Sequence, residues 1–385
     1  MIYRACVMAA SAMVLFSACV PASKPTSAPP VKTGTAKKPV ATMPAPKTAP
    51  KASESLPAPR SAAKPPSAKS AGAAYERPAP ELVAEIQALW KAFPGKTGIA
   101  VRRIDGDWVF SQRGDEPFPQ QSVSKLWVAM AWLDAVDRGQ LQPGTPVRIG
   151  PDDLTLFHQP IAARVRAQGE VVEPASVLVE AAITSSDNTA NDSILRAVGG
   201  PDAVRSFLAR KNLSGIKFGP GERLLQSQIA GLSWSQAMST GRSFQAERDK
   251  LPDWIRKKAL ESYVAEPMDG ATPVAIVNAL ARLARGEILS EQSTRQMLGL
   301  LERVSSGPQR LKAGVPDGWT VGHKTGTGQV LDAIATGYND VGIITAPDGT
   351  RYAVAVMLGS TTASVPERMA LMQSVARAIA TWHNV

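Results

Sequence analysis

Residues 121–133 read QSVSKLWVAMAWL, a polar start followed by an almost unbroken apolar run. The large apolar side chains fall on nearly every side of a 3.6-residue spiral, which predicts a helix buried all round at the centre of a domain. Ser122 and Lys125 stand three positions apart, so their side chains share one face of this helix. The same Ser-x-x-Lys spacing recurs at 61–64 and 214–217, so spacing alone does not distinguish a catalytic pair from the polar end of a buried helix.

Periodic segments on both sides of this helix predict the rest of the fold. Helical spacing occurs at 81–93, 174–184, 189–198, 202–210 and 365–382, and strand-like patterns occur at 98–110, 320–324, 335–345 and 352–358. The strands fall at both ends of the domain, with helices between them. The sequence therefore predicts an α/β (α+β) fold, in which one antiparallel sheet is flanked by helices and an all-helical lobe is inserted.

The first 19 residues have the order of parts of an export signal. Arg4 precedes an apolar stretch that is too short for a stable membrane anchor, and small residues then lead to Cys19. The sequence LFSAC at 15–19 resembles a bacterial lipobox, so Cys19 is the expected lipidation site and the protein is expected in the periplasm, anchored to a bacterial membrane. The alternative is ordinary cleavage and release. Cys6 would leave with the signal, so no disulfide is expected.

Residues 20–80 are predicted to form a disordered stalk rich in Pro, Ala and Lys. They hold 14 of the chain's 31 prolines, and their ten Lys and Arg against two Glu give +8 of the net +10. The domain predicted at 81–385 is then nearly neutral. A nucleic-acid-binding protein concentrates positive charge on a folded face, so no nucleic-acid partner is expected. Attraction of the stalk to anionic lipid or cell-wall polymer is favoured.

Two further polar clusters follow Ser122 in the chain. Ser186-Asp187-Asn188 lies between two predicted helices, and Lys324-Thr325-Gly326 ends a predicted strand. In this order, Ser-x-x-Lys, Ser-Asp-Asn and Lys-Thr-Gly resemble the signature of class A β-lactamases and penicillin-binding proteins. The likeness extends over roughly residues 81–385 and includes ITSSDNTAN at 183–191 and GWTVGHKTGTG at 318–328.

The resemblance implies a serine hydrolase with Ser122 as the nucleophile. A hydroxyl needs a neighbouring group to take its proton, and Lys125 is that neighbour. Ser186 would pass a proton to the departing nitrogen. The backbone N–H groups of Ser122 and Thr327 would form the oxyanion hole.

The same resemblance implies that Asn188 holds the substrate and that Lys324 and Thr325-Gly326-Thr327 bind its carboxylate. The expected substrate is a small-molecule β-lactam or a peptidoglycan peptide. Each residue also has a purely structural interpretation that remains open. Asp187 could cap a helix, Asn188 could be a turn residue, and Lys324 could be a charged surface residue of a strand.

Hydrolysis of an acyl-enzyme needs a base, and Glu222 is the candidate. Glu222-Arg-Leu-Leu-Gln226 lies 36 residues after Ser186 and is similar to the Glu-x-x-Leu-Asn of class A enzymes, with glutamine in place of asparagine. A solvated carboxylate at a helix start is the other interpretation. The segment 227–270 is longer than the family usually places there and is predicted to form an extra helical pair over the site. It offers three alternative carboxylates: Glu261, Glu266 and Asp269.

Other catalytic designs are not supported. The three histidines are isolated, so neither a zinc site nor a Ser-His-Asp arrangement is predicted, and no cofactor is expected. Residues 330–339 contain no arginine to assist carboxylate binding. Two other functions stay open: a penicillin-recognising D,D-peptidase or other serine hydrolase acting on peptidoglycan peptides, and a non-catalytic wall-associated lipoprotein.

Overall fold

The computed structural model describes residues 77–106 and 108–383. The predicted export signal, Cys19 and nearly all of the predicted stalk lie outside the described residues. No helix within the described ranges is both long enough and apolar enough to cross a bilayer.

The predicted α+β fold is confirmed. In chain order the helices are α1 (Pro80–Ala92), α2 (Lys125–Asp137), α3 (Ala162–Gln168), α4 (Ala175–Thr184), α5 (Asn188–Ala197), α6 (Pro201–Arg210), α7 (Glu222–Ile229), α8 (Ser243–Asp249), α9 (Asp253–Ala265), α10 (Pro273–Ala284), α11 (Glu291–Glu302) and α12 (Val365–Thr381). The strands are β1 (Lys96–Arg103), β2 (Val109–Gln112), β3 (Phe118–Pro119), β4 (Pro146–Ile149), β5 (Val171–Pro174), β6 (Gly270–Ala271), β7 (Thr320–Gly326), β8 (Val330–Leu331), β9 (Ile334–Thr345) and β10 (Arg351–Thr361).

The main sheet is antiparallel, with strand order β2-β1-β10-β9-β7 and β8 paired to β9. The chain leaves this sheet after β2 and returns at β7, and the helical lobe is built from the segment between them. The pairs β3–β6 and β4–β5 form two small separate sheets. β7 lies at one edge of the main sheet, and this places its C-terminal end beside the lobe.

The sheet is buried on both faces, and side-chain size differs between the faces. On β1, Ile99 and Val101 pack with α1 and α12, whereas Ala100 faces the core of the helical lobe. β10 repeats the pattern with large Val354 and Val356 toward α12. Successive side chains point to opposite faces of a strand, so this alternation fixes the register.

α2 is the central helix that the opening sequence predicts. Eleven of its thirteen residues are buried, among them Trp127 and Trp132. Each large apolar side chain removed from water contributes about 1.5–3 kcal/mol. That burial fixes the helix, and with it the residues at its N-terminal end, Lys125 and the preceding short 3-10 turn at Gln121–Ser124.

Segment 227–270 does form extra helices, α8 and α9, which follow a short 3-10 turn at Gln236–Ser239. α9 packs against α7 through Leu260 and Tyr263, which share an apolar cluster with Leu225 and Ile229. Segment 227–270 therefore lies against the helix that begins at Glu222.

Candidate active site

Ser122 lies in the 3-10 turn that precedes α2, and several contacts hold this turn. The residue before it, Gln121, has a left-handed backbone with φ of +55°, which costs energy in a residue other than glycine. The Gln121 N–H donates to Asp269 Oδ2 at 2.7 Å. Asn339 Nδ2, from β9, donates to the carbonyls of Pro119 and Gln120 at 2.7 and 3.0 Å. The nucleophile candidate is thus attached to a rigidly held turn.

Lys125 lies one turn along the helix from Ser122 and is 1% exposed. Its Nζ is 2.8 Å from Ser122 Oγ and 2.7 Å from Asn188 Oδ1. The amine can therefore exchange a proton with the hydroxyl without any change of rotamer.

The Ser186-Asp187-Asn188 segment meets this pair from the start of α5. Asp187 caps α5 by accepting from Ala190 N at 2.9 Å, and it also accepts from Ile161 N at 2.7 Å. The helix-cap interpretation of Asp187 is therefore correct. Ser186 has φ of +59°, a strained conformation that turns its hydroxyl away from the helix and toward β7.

Asn188 connects both sides of the site. Its Oδ1 accepts from Lys125, while its Nδ2 donates to Leu156 O at 2.9 Å and to Glu222 Oε1 at 3.1 Å. With all of these bonds made, its amide orientation is fixed. The alternative interpretation of Asn188 as a simple turn residue does not account for these three side-chain hydrogen bonds.

Lys324 approaches from β7 and is fully buried, so the surface-charge alternative is wrong. Its Nζ donates to Ser186 Oγ at 2.9 Å and to Thr325 O at 3.1 Å. Burial, aided by the nearby positive charges of Lys125 and Arg310, holds the pKa of Lys324 well below its usual range.

Gly326 explains how β7 can come so close to the nucleophile turn. A Cβ at this position would lie 2.4 Å from Gln120 O, so only glycine fits. Thr325 Oγ1 hydrogen-bonds Ser306 Oγ at 2.8 Å, and Thr327 follows β7 with an exposed side chain.

Glu222 is buried at the start of α7, which excludes the interpretation as a solvated carboxylate. Burial and the neighbouring Asp192 carboxylate raise the pKa of Glu222, while Lys125 opposes the shift. Asp192 Oδ1 accepts from the Glu222 N–H at 3.2 Å, and burial raises the pKa of Asp192 as well. A carboxyl with a raised pKa is a stronger base when it is ionised.

The alternative carboxylates divide into two kinds. Glu261 and Glu266 are exposed, and Glu266 pairs with the exposed Lys217. Asp269 is fully buried, and burial raises its pKa to about 6. Both of its oxygens are engaged, one by Gln121 N and the other by the Tyr263 hydroxyl at 2.9 Å.

The three motifs and Glu222 line one cleft of about 230 Å³. The residues that line it include Ser122, Ser186, Asn188, Glu222, Thr325 and Thr327, together with Phe157 and His158. Several hydroxyls, the amide of Asn188 and the carboxylate of Glu222 therefore line the same space, and the amines of Lys125 and Lys324 contact Ser122 and Ser186 in its wall. Nucleophilic attack, proton transfer and carboxylate binding can all occur there. Within residues 77–106 and 108–383, no three His, Cys, Asp or Glu side chains are grouped to hold a metal ion.

Arg310 is a site residue that the sequence did not reveal. It precedes β7, is 7% exposed, and donates to Thr327 Oγ1 at 2.7 Å, Gly326 O at 3.0 Å and Asn339 O at 2.6 Å. Its guanidinium also stacks 3.8 Å from the centre of the Tyr338 ring. Residues 330–339 follow Lys324 and hold no arginine, whereas Arg310 comes from the segment before β7.

Comparisons with known proteins agree with this geometry. A family model described as the β-lactamase enzyme family matches residues 81–382. The chain is 24% identical to β-lactamase VEB-1 of Pseudomonas aeruginosa, over 72% of this chain and 82% of that protein. It is 27% identical to β-lactamase FAR-1 of Nocardia farcinica, over 77% and 82%. The crystal structure of the TLA-1 extended-spectrum β-lactamase superposes with a TM-score of 0.65 at 25% identity, covering 78% of this chain and 98% of that one.

Proposed function

The chain belongs to the β-lactamase enzyme family, and from this premise we propose that it is a class A serine β-lactamase that works through an acyl-enzyme on Ser122. The observation that carries the proposal is the 2.8 Å contact between Lys125 Nζ and Ser122 Oγ inside a cleft that also holds Glu222. The substrate class is a β-lactam with a carboxylate next to its ring nitrogen.

In the acylation half, the Lys125 amine takes the Ser122 proton as Oγ attacks the lactam carbonyl carbon. The carbonyl oxygen becomes negative, and the backbone N–H groups of Ser122 and Thr327 stabilise it. When the C–N bond breaks, the nitrogen needs a proton. Ser186 Oγ supplies one and takes a replacement proton from the Lys324 ammonium 2.9 Å away. The product of this half is an ester between Ser122 and the opened lactam.

In the hydrolysis half, Glu222 takes a proton from a water that attacks the ester carbonyl. The buried, raised-pKa carboxylate suits this role at neutral pH, because its ionised form is poorly solvated and readily accepts a proton. Asn188 hydrogen-bonds both Glu222 and Lys125, so it fixes the position of the hydrolytic base relative to the group that activates Ser122. The ester C–O bond breaks, and Ser122 Oγ takes back the proton held by Lys125. Glu222 releases its proton, Lys324 regains one through solvent, and the opened acid leaves.

The substrate carboxylate is bound at the end of β7. The hydroxyls of Thr325 and Thr327 can donate to it, and the Lys324 ammonium adds positive charge. Arg310 supports Thr327 by donating to its hydroxyl oxygen, which leaves the hydroxyl proton available for the substrate.

The test incubates purified protein with a fluorescent penicillin and follows both protein mass and hydrolysis. We expect a transient adduct with continuing turnover, which Ser122→Ala abolishes. A persistent adduct together with cleavage of a D-Ala-D-Ala peptide would indicate the D,D-peptidase, and absence of any adduct would indicate a non-catalytic lipoprotein. Either of these results overturns the proposal.

We further propose that the protein is exported and lipidated at Cys19, with residues 20–80 linking the enzyme to a bacterial membrane in the periplasm. The support is the order of charge, apolar stretch and small residues in 1–19, together with the proline-rich composition that follows. Incorporation of a labelled fatty acid into the wild type, and its loss in Cys19→Ala, tests lipidation. Unlabelled wild type would contradict it.

A further inference from the structure

A chain of buried hydrogen bonds connects the extra helix α9 to both halves of the site. Gln226 Nε2 donates to Gln121 Oε1 at 2.8 Å, Gln121 Nε2 donates to Tyr263 Oη at 2.6 Å, and Tyr263 donates to Asp269 Oδ1 at 2.9 Å. The four residues are between 0% and 3% exposed. Each of the three hydrogen bonds runs from its donor toward Asp269. The carboxylate can only accept, so it fixes which group donates and which accepts in every bond of the series.

The series of hydrogen bonds begins at Gln226, which lies beside the proposed base Glu222. Gln226 lies one helical turn after Glu222 on α7, and its amide lowers the pKa of the Glu222 carboxylate against the larger opposing effect of burial. The Gln226 Oε1 is also engaged, since it accepts from Gln329 Nε2 at 2.9 Å. Both ends of the Gln226 amide are therefore committed, and its rotation would require several bonds to break together.

The middle of the chain is Gln121, the residue that immediately precedes Ser122. Its backbone N–H is held by Asp269, and its side-chain amide lies between Tyr263 and Gln226. The phenol of Tyr263 is thus the single group of α9 that orients this amide. Without it, Gln121 Nε2 and Asp269 Oδ1 each lose a buried partner, which is costly.

We propose that Tyr263 is a positioning residue for hydrolysis of the acyl-enzyme, acting through Gln121 on the Gln226 amide beside Glu222. This inference rests on the proposed β-lactamase function. It gives segment 227–270 a role in the reaction: α9 supplies from behind the site a hydroxyl that orients the amide next to the base.

The two reaction steps depend differently on this hydroxyl. Acylation uses the contact between Ser122 and Lys125, and neither this contact nor the bond from the Gln121 N–H to Asp269 Oδ2 includes the phenol oxygen. Hydrolysis needs a water placed correctly between Glu222 and the neighbouring amide, and small displacements of such groups reduce rates strongly.

The experiment compares Tyr263→Phe with wild type in single-turnover kinetics with a chromogenic cephalosporin, resolving acylation and hydrolysis of the acyl-enzyme. We expect hydrolysis to slow by about tenfold and acylation to change by less than about twofold. The adduct should then accumulate in steady state. Tyr352→Phe is the matched control, because it removes another buried phenol hydroxyl, bonded to His383, outside the site. It should leave both rates unchanged.

A double-mutant cycle between Tyr263→Phe and Gln226→Leu separates transmission from a general loss of stability. Coupled residues give non-additive effects on the hydrolysis rate, so we expect the double variant to be little slower than Gln226→Leu alone. Additive effects, equal slowing of both steps, or an unchanged hydrolysis rate in Tyr263→Phe would overturn the inference. These results concern the variants and can be obtained while the wild type still hydrolyses the cephalosporin. If the proposed β-lactamase function is wrong, the wild type itself will not hydrolyse it.

Discussion

Replacing Glu222 by glutamine should separate the two halves of the reaction and also stabilise the protein. The amide keeps the carboxylate's shape, and its oxygen can still accept from Asn188 Nδ2, which lies 3.1 Å from Glu222 Oε1 in the wild type. The contact between Lys125 and Ser122 is untouched, so acylation should remain within about threefold of wild type. A general base contributes roughly 10²–10⁴ in rate, so hydrolysis of the acyl-enzyme should fall by about 10³, or about 4 kcal/mol.

The effect on stability follows from the raised pKa of Glu222. A carboxyl whose pKa is higher in the folded state is destabilising once it is ionised. This cost is absent below the unfolded pKa, appears as pH rises through it, and is complete above the folded pKa. Glu222→Gln removes the cost, so the variant should melt at a higher temperature than wild type at pH 7. The difference should shrink as the pH falls from the raised folded pKa toward the ordinary value of 4.5, and it should vanish below that value.

The assay is intact-protein mass spectrometry after mixing with a penicillin, combined with thermal melts at pH 4 and pH 7. Glu222→Gln should hold one acyl group per molecule for hours while the wild type returns to its free mass within minutes. Unchanged turnover in Glu222→Gln would show that the base lies elsewhere. A melting temperature at pH 7 lower than that of the wild type would show that the ionised, buried Glu222 does not destabilise the folded protein.

Three further substitutions probe the charges of the site. Asp192→Asn keeps the acceptor for the Glu222 N–H but removes a negative charge that raises the Glu222 pKa. The acidic limb of the pH profile of the hydrolysis rate should therefore move to lower pH. An acidic limb at the same pH as in the wild type would refute this coupling. Lys324→Met should lower kcat/KM for carboxylate-bearing β-lactams by about 10² or more, and a loss below threefold would exclude Lys324 from carboxylate binding. Arg310→Lys keeps a charge but cannot make all three bonds of the guanidinium, so KM should rise about tenfold with kcat nearly unchanged; equal loss in kcat would contradict its role behind Thr327.

The parts of the structure that the sequence predicts are those with local periodicity or a compact motif. The all-round apolar pattern of 121–133 predicted α2, and alternation at 335–345 and 352–358 predicted the paired central strands β9 and β10. The motifs predicted the cluster around Ser122 because each lies at the end of an element whose position follows from the fold.

The residues that the sequence missed act through tertiary contacts alone. Arg310 lies in an irregular loop, and its proximity to Thr327 arises only because β7 runs along the sheet edge. Tyr263 belongs to a helix that looks like an ordinary packing element, and its hydroxyl finds Gln121 across 142 positions of the chain. Asp269 is one of the alternative bases that the sequence offers, but one of its oxygens accepts from the Gln121 N–H in the nucleophile turn and the other accepts from the Tyr263 hydroxyl.

Burial of charge is the common physical feature of this site. Lys125, Lys324, Glu222 and Asp192 are each 7% exposed or less, an arrangement that disfavours folding unless every charge is paired or hydrogen-bonded. The strained backbones of Gln121 and Ser186 add to that cost. The large core around α2 supplies the stability that offsets it, so variants of the site should often be more stable and less active than wild type.

The most direct test of the account is to locate the acyl group on the protein. Glu222→Gln treated with a penicillin, digested and sequenced by tandem mass spectrometry should carry the opened lactam on Ser122 and on no other residue. An adduct on a different serine, or a stable adduct that survives in Ser122→Ala, would contradict the claim that Lys125 and the end of β7 serve this one hydroxyl.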